Sequence, residues 1–169
     1  MKELKPLDYQ LLFELMKDSH RSDRQLAKAL GISQPTVTRR RAMLEDSTIE
    51  GYTVIPKFGQ IGFELAAFTF MKTKLNCRKG KENEEALNKA KEWYLKQSNV
   101  IAVLEGQGMG YDAVCVSLHE NYTSFAEFLR AQASELSDIV EETQSFQADL
   151  KPGVALKTFA LKYLAKPKQ

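Results

Sequence analysis

Apolar residues recur at helical spacing in three separate runs within the first 46 positions of the chain. The first run covers residues 7–18, the second lies between Ser22 and Gly31, and the third follows Ser33. Serine is a frequent N-cap and glycine frequently follows a helix C-terminus, so these residues mark helix ends. The apolar positions of the three runs are Leu7, Leu11, Leu12, Leu15, Met16, Leu26, Ala27, Leu30, Val37 and Leu44. The pattern predicts three short amphipathic helices that share one core.

A different pattern follows the third run. Residues 49–55 are rich in β-prone side chains and end at Pro56, which predicts a strand leading out of the helical unit. Gly59 and Gly62 then interrupt both periodicities, so residues 57–62 are the predicted linker.

Beyond the linker, strand-like and helix-like patterns alternate. Strands are predicted over residues 65–75, 100–106, 111–118, 139–146 and 156–164, and helices over residues 82–97 and 122–136. The order β-α-β-β-α-β is that of a ferredoxin-like fold, here with an added C-terminal strand. The sequence therefore predicts an α+β chain of two domains. These are a (winged) helix-turn-helix domain over residues 1–56 and a ferredoxin-like domain over residues 63–169.

Composition narrows the class of protein. With 43% hydrophobic and 9% aromatic residues, the chain has enough apolar material for packed cores, which excludes disordered and fibrous classes. The longest near-apolar stretch, residues 63–71, is far shorter than the roughly 20 residues that span a bilayer. The charged first residues are not followed by the apolar segment of a secretion signal. We therefore expect a cytoplasmic protein with no membrane partner.

Few side chains suggest catalysis or metal binding. Cys77 and Cys115 are too few for a disulfide framework and too far apart to suggest a metal pair, so both are expected to be reduced. His20 and His119 have no acidic or cysteine ligand at metal spacing, and we expect them at surface or cap positions. No serine or cysteine nucleophile motif is visible. The sequence predicts no enzyme activity, no metal and no cofactor.

The charge of the chain is unevenly distributed. Its 24 basic and 22 acidic residues give a formal charge of +2, which does not by itself indicate a nucleic-acid partner. Residues 1–60 contain 10 basic and 8 acidic residues, whereas residues 61–169 contain 14 of each. Within residues 19–44, six basic residues stand against Asp23 alone, a local charge of +5. Such a local excess is typical of a small nucleic-acid-binding unit.

The second and third predicted helices have the spacing of a helix-turn-helix, with residues 31–33 as the turn. In this motif the second helix enters the major groove and the first crosses the DNA backbone. Glutamine can bind adenine there, arginine can bind guanine, and threonine can contact an acceptor or the thymine methyl. Basic side chains of the preceding helix fit phosphates. The candidate DNA contacts are Arg21, Arg24, Lys28, Ser33, Gln34, Thr36, Thr38, Arg39 and Arg40.

Alternatives remain for the basic segment. A basic helix can be a solvated face, and a three-helix unit can bind protein rather than DNA. Arg39, Arg40 and Arg41 cannot all face DNA, because successive residues lie about 100° apart on a helix. Arg41, four residues after Val37 and three before Leu44, is expected on the core side, where it contributes its aliphatic stem.

The types and spacing of residues along nearly the whole chain match those of a known protein family. The N-terminal ones are Leu7-Asp8, Leu12, Leu15, Arg21, Gln25-Leu26-Ala27, Gly31-Ile32-Ser33, Val37, Arg40, Leu44-Glu45, Ile49 and Gly51-Tyr52. They resemble the signature of the Lrp/AsnC, or feast/famine, transcriptional regulators. The later ones are Ile61-Gly62, Val100, Gly106 and Tyr111-Asp112. With the β-α-β-β-α-β order, they resemble the regulator-of-amino-acid-metabolism (RAM) domain of this family. Arg41 and Thr48 stand where the family usually has an aliphatic residue and a glycine.

The resemblance implies both a function and an assembly. It implies a regulator that binds double-stranded DNA and forms homodimers through the sheet, often assembled further to octamers. Two-fold symmetry would then pair the recognition helices on a pseudo-palindromic operator. The apolar segments at residues 68–70 and 159–161 would need covering by a partner subunit.

Residues 105–112 contain three spaced glycines between two predicted strands. A phosphate-binding loop would need a helix after the glycines, so the context favours a hairpin whose glycines supply positive φ. The family resemblance implies a second interpretation, in which this turn lines an amino-acid effector pocket between dimers. Backbone N–H groups would then bind a carboxylate and Asp112 an ammonium, although Asp112 could equally brace its own turn. The candidate effector residues are Gly106, Gly108, Gly110, Tyr111 and Asp112.

Two other functions remain as alternatives to a sequence-specific, effector-modulated DNA-binding regulator. A regulator-like protein could sense a metabolite or assemble without specific DNA binding, although the +5 segment argues against this. Siroheme decarboxylases also resemble Lrp/AsnC proteins and use a histidine near the second strand of the second domain. Residues 98–102 contain no histidine.

Overall fold

A computed structural model describes residues 4–77, 81–151, 153–154, 157 and 160–165, with the backbone alone described at residues 81–83. The chain forms two compact units. The first unit comprises Met1–Ile55 together with Lys157–Gln169, and the second comprises Pro56–Leu156. The first unit ends next to the predicted linker. Residues 157–169, which the sequence pattern assigns to the second domain, group with the first unit instead.

Three helices build the first unit and confirm the predicted helical pattern. They are α1 (Pro6–Lys17), α2 (Asp23–Leu30) and α3 (Gln34–Ser47). Their buried apolar side chains form one cluster of Leu11, Leu15, Leu26, Ala27, Val37 and Leu44. The cluster is the common core that the helical spacing predicts.

The turn between α2 and α3 follows from its end residues. The Ser22 hydroxyl accepts a hydrogen bond from the Gln25 backbone N–H at 3.3 Å and so caps α2. Gly31 ends α2 with φ 66°, a left-handed conformation that glycine adopts without strain. Ser33 is at the N-cap position of α3, but its hydroxyl bonds to the Thr36 hydroxyl at 2.8 Å instead of capping the backbone.

The strand predicted over residues 49–55 is not formed. Tyr52, Val54 and Ile55 are exposed there, and no strand of the described sheet pairs with this segment. β-Propensity alone does not make a strand, because the backbone N–H and C=O groups need a paired neighbour. Phe58–Ile61, within the predicted linker, form a short 3-10 helix.

The second unit has the predicted β-α-β-β-α-β order. Its elements are β1 (Leu65–Thr73), α4 (Lys81–Leu95), β2 (Val100–Gly108), β3 (Tyr111–His119), α5 (Tyr122–Glu135) and β4 (Val140–Asp149). The strands form one antiparallel sheet in the order β2-β3-β1-β4. This is the ferredoxin-like topology. Among the described helices, none has the length and apolar character needed to cross a membrane.

The added C-terminal strand is wrong where the chain can be compared. Leu161–Leu164 form a 3-10 helix, and the described sheet contains four strands. Of the predicted strand, residues 156, 158 and 159 lie outside the described residues. Alternation of apolar and polar residues is compatible with both conformations over so short a stretch.

One face of the sheet is covered by α4 and α5. Met71 and Cys115 point to this side and pack with Tyr94, Phe128 and Leu136. Cys77 and Cys115 are both free and buried, and burial raises the pKa of the Cys115 thiol to about 12.

His119 lies on the covered face and is only 2% exposed, which corrects its expected surface or cap position. Alternation along β3 places positions 115, 117 and 119 on the helix side. The His119 Nε2 lies 2.8 Å from the Ser117 hydroxyl oxygen, and its ring packs edge-on against Phe125. Burial lowers the pKa of His119 below its ordinary value.

The opposite face of the sheet carries large apolar side chains that are exposed among the described residues. Phe68 of β1 pairs with Phe146 of β4, and their ring centroids lie 6.5 Å apart. Phe146 is 64% exposed, and Leu104 of β2, on the same face, is 57% exposed. Large apolar side chains clustered on one exposed face are typical of a surface that binds a partner.

Candidate nucleic-acid interface

One side of α3 is buried and the opposite side is exposed. Val37 and Leu44 have no exposed surface and belong to the helical core. At about 100° per residue, Arg39 lies roughly 200° from Val37 around the helix axis. Its side chain is exposed, as is that of Gln34 in the first turn. Two of the four side chains predicted to read bases, Gln34 and Arg39, therefore lie on the solvent side of α3, and the other two, Thr36 and Thr38, are described below.

Four exposed side chains of α2 and α3 keep their polar groups available. Arg24 and Lys28 are exposed and lie one turn apart on α2, and Gln34 and Arg39 are exposed on α3. The side chain of none of the four forms a hydrogen bond or an ion pair with another described residue. We call these four residues the open set. Three cations and one amide in a single small unit suit a polyanionic ligand.

Arg40, one of the predicted DNA contacts, faces inward and pairs with Asp8. Its Nη1 donates to Asp8 Oδ1 at 2.5 Å, and the two side chains are 20% and 2% exposed. The other Asp8 oxygen accepts a hydrogen bond from the Lys5 backbone N–H at 2.8 Å. The ion pair connects α3 to the first turn of α1. Arg40 therefore positions α3 within the unit.

Arg41 joins three parts of the first unit. It donates to the Arg21 backbone oxygen at 3.3 Å, to Asp23 Oδ1 at 3.2 Å and to Glu45 Oε1 at 2.9 Å. Its guanidinium also lies over the Tyr52 ring, 5.4 Å from the centroid. Burial opposes the charge, but the contacts with Glu45, Tyr52 and Asp23 raise the pKa of Arg41 above its ordinary value. Arg41 is on the inner side of α3, held by polar contacts as well as by its stem.

Three hydroxyl groups predicted to contact DNA bond within the unit. The Thr38 hydroxyl donates to Asp23 Oδ2 at 2.6 Å and thereby links α3 to the first turn of α2. The Ser33 and Thr36 hydroxyl oxygens lie 2.8 Å apart. Thr36 is also half-buried. These groups are less available to a ligand than the open set.

Arg21 shares a carboxylate with a second cation. Lys17 Nζ donates to one Glu14 oxygen at 2.5 Å, and Arg21 Nη1 donates to the other. The hydrogen bond from Lys17, together with the charges of both cations, holds the pKa of Glu14 below its ordinary value. Arg21 remains 35% exposed, so a phosphate that approached it would meet the Glu14 carboxylate beside it.

The acidic partners are the residues that the sequence prediction missed. Asp8, Glu14 and Asp23 each bind an arginine that was a DNA candidate or its neighbour. Asp8 and Arg40 are 32 positions apart, so no local spacing connects them. A usable signal was available only at Asp23, because an acid inside an arginine-rich segment indicates internal pairing as well as external binding.

The glycine hairpin is formed as predicted, with Met109 and Gly110 as its turn. Gly108 pairs with Tyr111, and the two turn residues have φ 54° and 85°, both positive as in the tight turns that favour hairpins. Gly106 and Gly108 do not have positive φ, so glycine supplies the left-handed conformation only at Gly110. A Cβ added at any of the three glycines would meet no atom within 4 Å.

The side chains beside the turn are tied to neighbouring strands. The Tyr111 hydroxyl lies 3.0 Å from Glu142 Oε1 and 3.2 Å from Gln144 Oε1. Asp112 Oδ2 accepts a hydrogen bond from the Thr73 backbone N–H at 2.8 Å. The register of β1 against β4 shifts at that point. Asp112 therefore braces the end of β1 in addition to standing beside the turn.

Comparison with known proteins gives matches for both parts of the chain. Residues 6–45 match a family model described as an AsnC-type helix-turn-helix domain. An uncharacterised HTH-type transcriptional regulator of Pyrococcus abyssi is 31% identical over 143 residues, which are 84% of this chain and 89% of that protein.

Solved structures extend the similarity over nearly the whole chain. A transcriptional regulator of Neisseria meningitidis, solved as a complex with L-Met, is similar with a TM-score of 0.75 at 20% identity, covering 96% of this chain and 99% of that chain. AsnC of E. coli gives a TM-score of 0.68 at 18% identity, covering 93% of this chain and 98% of that chain. These likenesses show a shared fold.

Proposed function

This chain belongs to the Lrp/AsnC family of DNA-binding transcriptional regulators, and we propose that it reads specific duplex sequences with the exposed side of α3. The open set carries the proposal, because its polar groups are exposed and have no partner among the described residues. Arg39 suits guanine and Gln34 suits adenine in the major groove. Arg24 and Lys28, on the preceding helix, suit backbone phosphates that set the register. Arg40 and Arg41 act by positioning α3.

We infer that the uncovered face of the sheet binds a second copy of the chain. The large exposed side chains of that face, Phe68, Phe146 and Leu104, support this inference, because an apolar surface of this kind is covered in most folded assemblies. A two-fold dimer would present two recognition helices to two half-sites. Replacing Phe146 with lysine is expected to give monomers in light scattering. If the Phe146→Lys variant remains a dimer, the dimer interface does not include this face of the sheet. Assembly to octamers stays a prediction.

The β2–β3 hairpin is the proposed effector site. The regulator of Neisseria meningitidis was solved with L-Met, which supports an amino acid as the class of effector to test first. The hairpin offers open backbone beside Gly106, Gly108 and Gly110, and the Tyr111 hydroxyl stands next to it. An amino acid bound there would lie next to Asp112 and would change its hydrogen bond to the end of β1. In a thermal-shift screen with an amino-acid panel, a shift that survives Asp112→Ala unchanged would move the site elsewhere.

The readout proposal is tested by comparing operator and random DNA. Gel shifts against genomic fragments would first identify an operator. Arg39→Ala is expected to weaken operator binding by about 1–3 kcal/mol and to relax the choice at one base pair, with a smaller loss on random duplex. Lys28→Ala is expected to weaken all sequences alike. Arg130, an exposed arginine of α5, provides the matched control, and Arg130→Ala should change neither affinity.

Two outcomes would contradict this proposal. Equal losses on operator and random DNA for Arg39→Ala would remove Arg39 from base readout. A wild-type chain that binds no genomic fragment, with or without amino acids, would favour the alternative of a metabolite-sensing or assembly protein. The predicted cytoplasmic location stays a prediction in either case.

A further inference from the structure

The last part of the chain carries a second basic cluster. After Asp149 the sequence contains five lysines, at positions 151, 157, 162, 166 and 168, and no acidic residue. The even charge balance of residues 61–169 hides this cluster, because residues 61–149 contain 9 basic and 14 acidic residues. The second half of the chain therefore combines an acidic body with a basic end.

The structure groups this basic end with the DNA-binding unit. Residues Lys157–Gln169 belong to the same compact unit as Met1–Ile55, and the 3-10 helix Leu161–Leu164 packs against α1. Ala165 is only 7% exposed. Counted by unit, the first contains 13 basic and 8 acidic residues and the second contains 11 and 14. The division of the chain into units is thus also a division of charge, +5 against −3.

Ala165 lies against α1 and α2 of the first unit. It shares a cavity of about 250 Å³ with Gln10, Phe13, Glu14 and Lys17 of α1 and Ala29 and Leu30 of α2. Glu14 is the ion-pair partner of Arg21, and Ala29 directly follows Lys28. The described lysine nearest in sequence, Lys162, is three positions before Ala165.

Lys157 and Lys162, the two described lysines within residues 157–169, stand beside one aromatic ring. Lys157 Nζ lies 4.1 Å and Lys162 Nζ 5.6 Å from the centroid of the Tyr163 ring, so both ammonium groups stand against one aromatic ring. Both are exposed, and neither forms an ion pair with another described residue. A cation–π contact orients an ammonium group without neutralising it. The pair is thus held in place and remains attractive to an anion.

We propose that Lys157 and Lys162 are a second, sequence-independent contact for the DNA backbone and that they bind phosphates. The proposal rests on the proposed function, because it adds contacts to the same duplex that α3 reads. Phosphate contacts strengthen binding to every sequence by releasing counterions and do not alter base choice. The segment thus extends the footprint of the first unit along the DNA.

The test measures the salt dependence of DNA binding with the full chain. For Lys157→Gln/Lys162→Gln, we expect the slope of log K against log salt to become less steep by up to about 1.8 for each bound subunit, since each lost phosphate contact removes about 0.9. At 0.1 M salt this corresponds to a loss of up to about 60-fold for each bound subunit, equal on operator and random duplex. Lys157→Arg/Lys162→Arg should restore the slope.

The matched control is Lys91→Gln/Lys96→Gln, which removes two exposed lysines of the second unit and should leave the slope unchanged. Thermal unfolding of each variant checks that the first unit remains folded. An unchanged slope in Lys157→Gln/Lys162→Gln, beside a wild-type chain that binds DNA, would overturn this inference alone. Tighter binding by that variant would also overturn it, because the segment would then compete with DNA. A wild-type chain that binds no duplex would instead contradict the proposed function.

Discussion

Replacing Arg40 with leucine is expected to lower the free energy of unfolding of the first unit and to leave that of the second unit unchanged. The Asp8 carboxylate is 2% exposed and keeps, without Arg40, only the Lys5 backbone N–H among the contacts described above. Removing one partner of a buried ion pair costs about 3–5 kcal/mol. Arg40 itself is 20% exposed, so water can partly replace it, and we expect a loss near the lower end, about 3 kcal/mol. Such a loss is a large part of the stability of a small domain.

The assay uses two signals that report on different units. The sequence has one tryptophan, Trp93, which lies in α4 of the second unit. Its fluorescence follows that unit during urea unfolding, whereas far-ultraviolet circular dichroism follows the helices of both units. In Arg40→Leu, part of the dichroism signal should be lost at lower urea while the fluorescence midpoint stays where it is in the wild type.

A double-mutant cycle isolates the ion pair itself. Asp8→Asn removes the buried charge, so Asp8→Asn/Arg40→Leu should be at least about 1 kcal/mol more stable than Arg40→Leu alone. Arg39→Leu serves as the control, because Arg39 is exposed and has no described partner, and it should change stability by less than about 0.5 kcal/mol. Equal midpoints for Arg40→Leu and Arg39→Leu would refute the structural role of Arg40.

Three further changes test other parts of the structure. Arg41→Leu removes the contacts that join α2, α3 and the segment after α3, and we expect a loss of about 2 kcal/mol in thermal unfolding; an unchanged midpoint would contradict this role. Burial lowers the pKa of His119, so its unfolded form takes up protons first as the pH falls. The stability it contributes should be complete above about pH 6.5 and decrease below it, and His119→Gln should flatten that part of the profile. Gly110→Ala should cost about 1 kcal/mol because of its positive φ, whereas Gly106→Ala, without one, should be nearly neutral; equal losses would refute the argument.

The sequence predicted the elements of both units because their signals are local. Ser22 and Gly31 mark the ends of α2, and alternation marks β3, so short-range chemistry was sufficient there. The predicted strand over residues 49–55 is wrong because strand formation also depends on a partner that is distant in sequence. A strand depends on a neighbour that β-prone side chains alone do not provide, and no described strand of this chain pairs with the segment.

The candidate site was predictable only in part because its residues differ in their distant partners. Arg39, Arg40 and Arg41 are identical in type and adjacent in sequence. The structure distinguishes them by what each one meets: solvent, Asp8 from α1, and Asp23 from α2. Helical geometry predicted that at least one of the three is structural. Helical geometry could not show that Arg40 is also structural, because its partner Asp8 is 32 positions away.

The two-piece composition of the first unit has a consequence for how this protein can be dissected or recombined. The unit is discontinuous in sequence, since residues 157–169 complete what residues 1–55 begin. A fragment cut after Ile55 would lack the 3-10 helix Leu161–Leu164 that packs against α1, and a chimera that grafts only the N-terminal helices onto another protein would leave that packing behind. The C-terminal residues, which a boundary after the helices would leave with the second unit, belong with the DNA-binding unit in any such exchange.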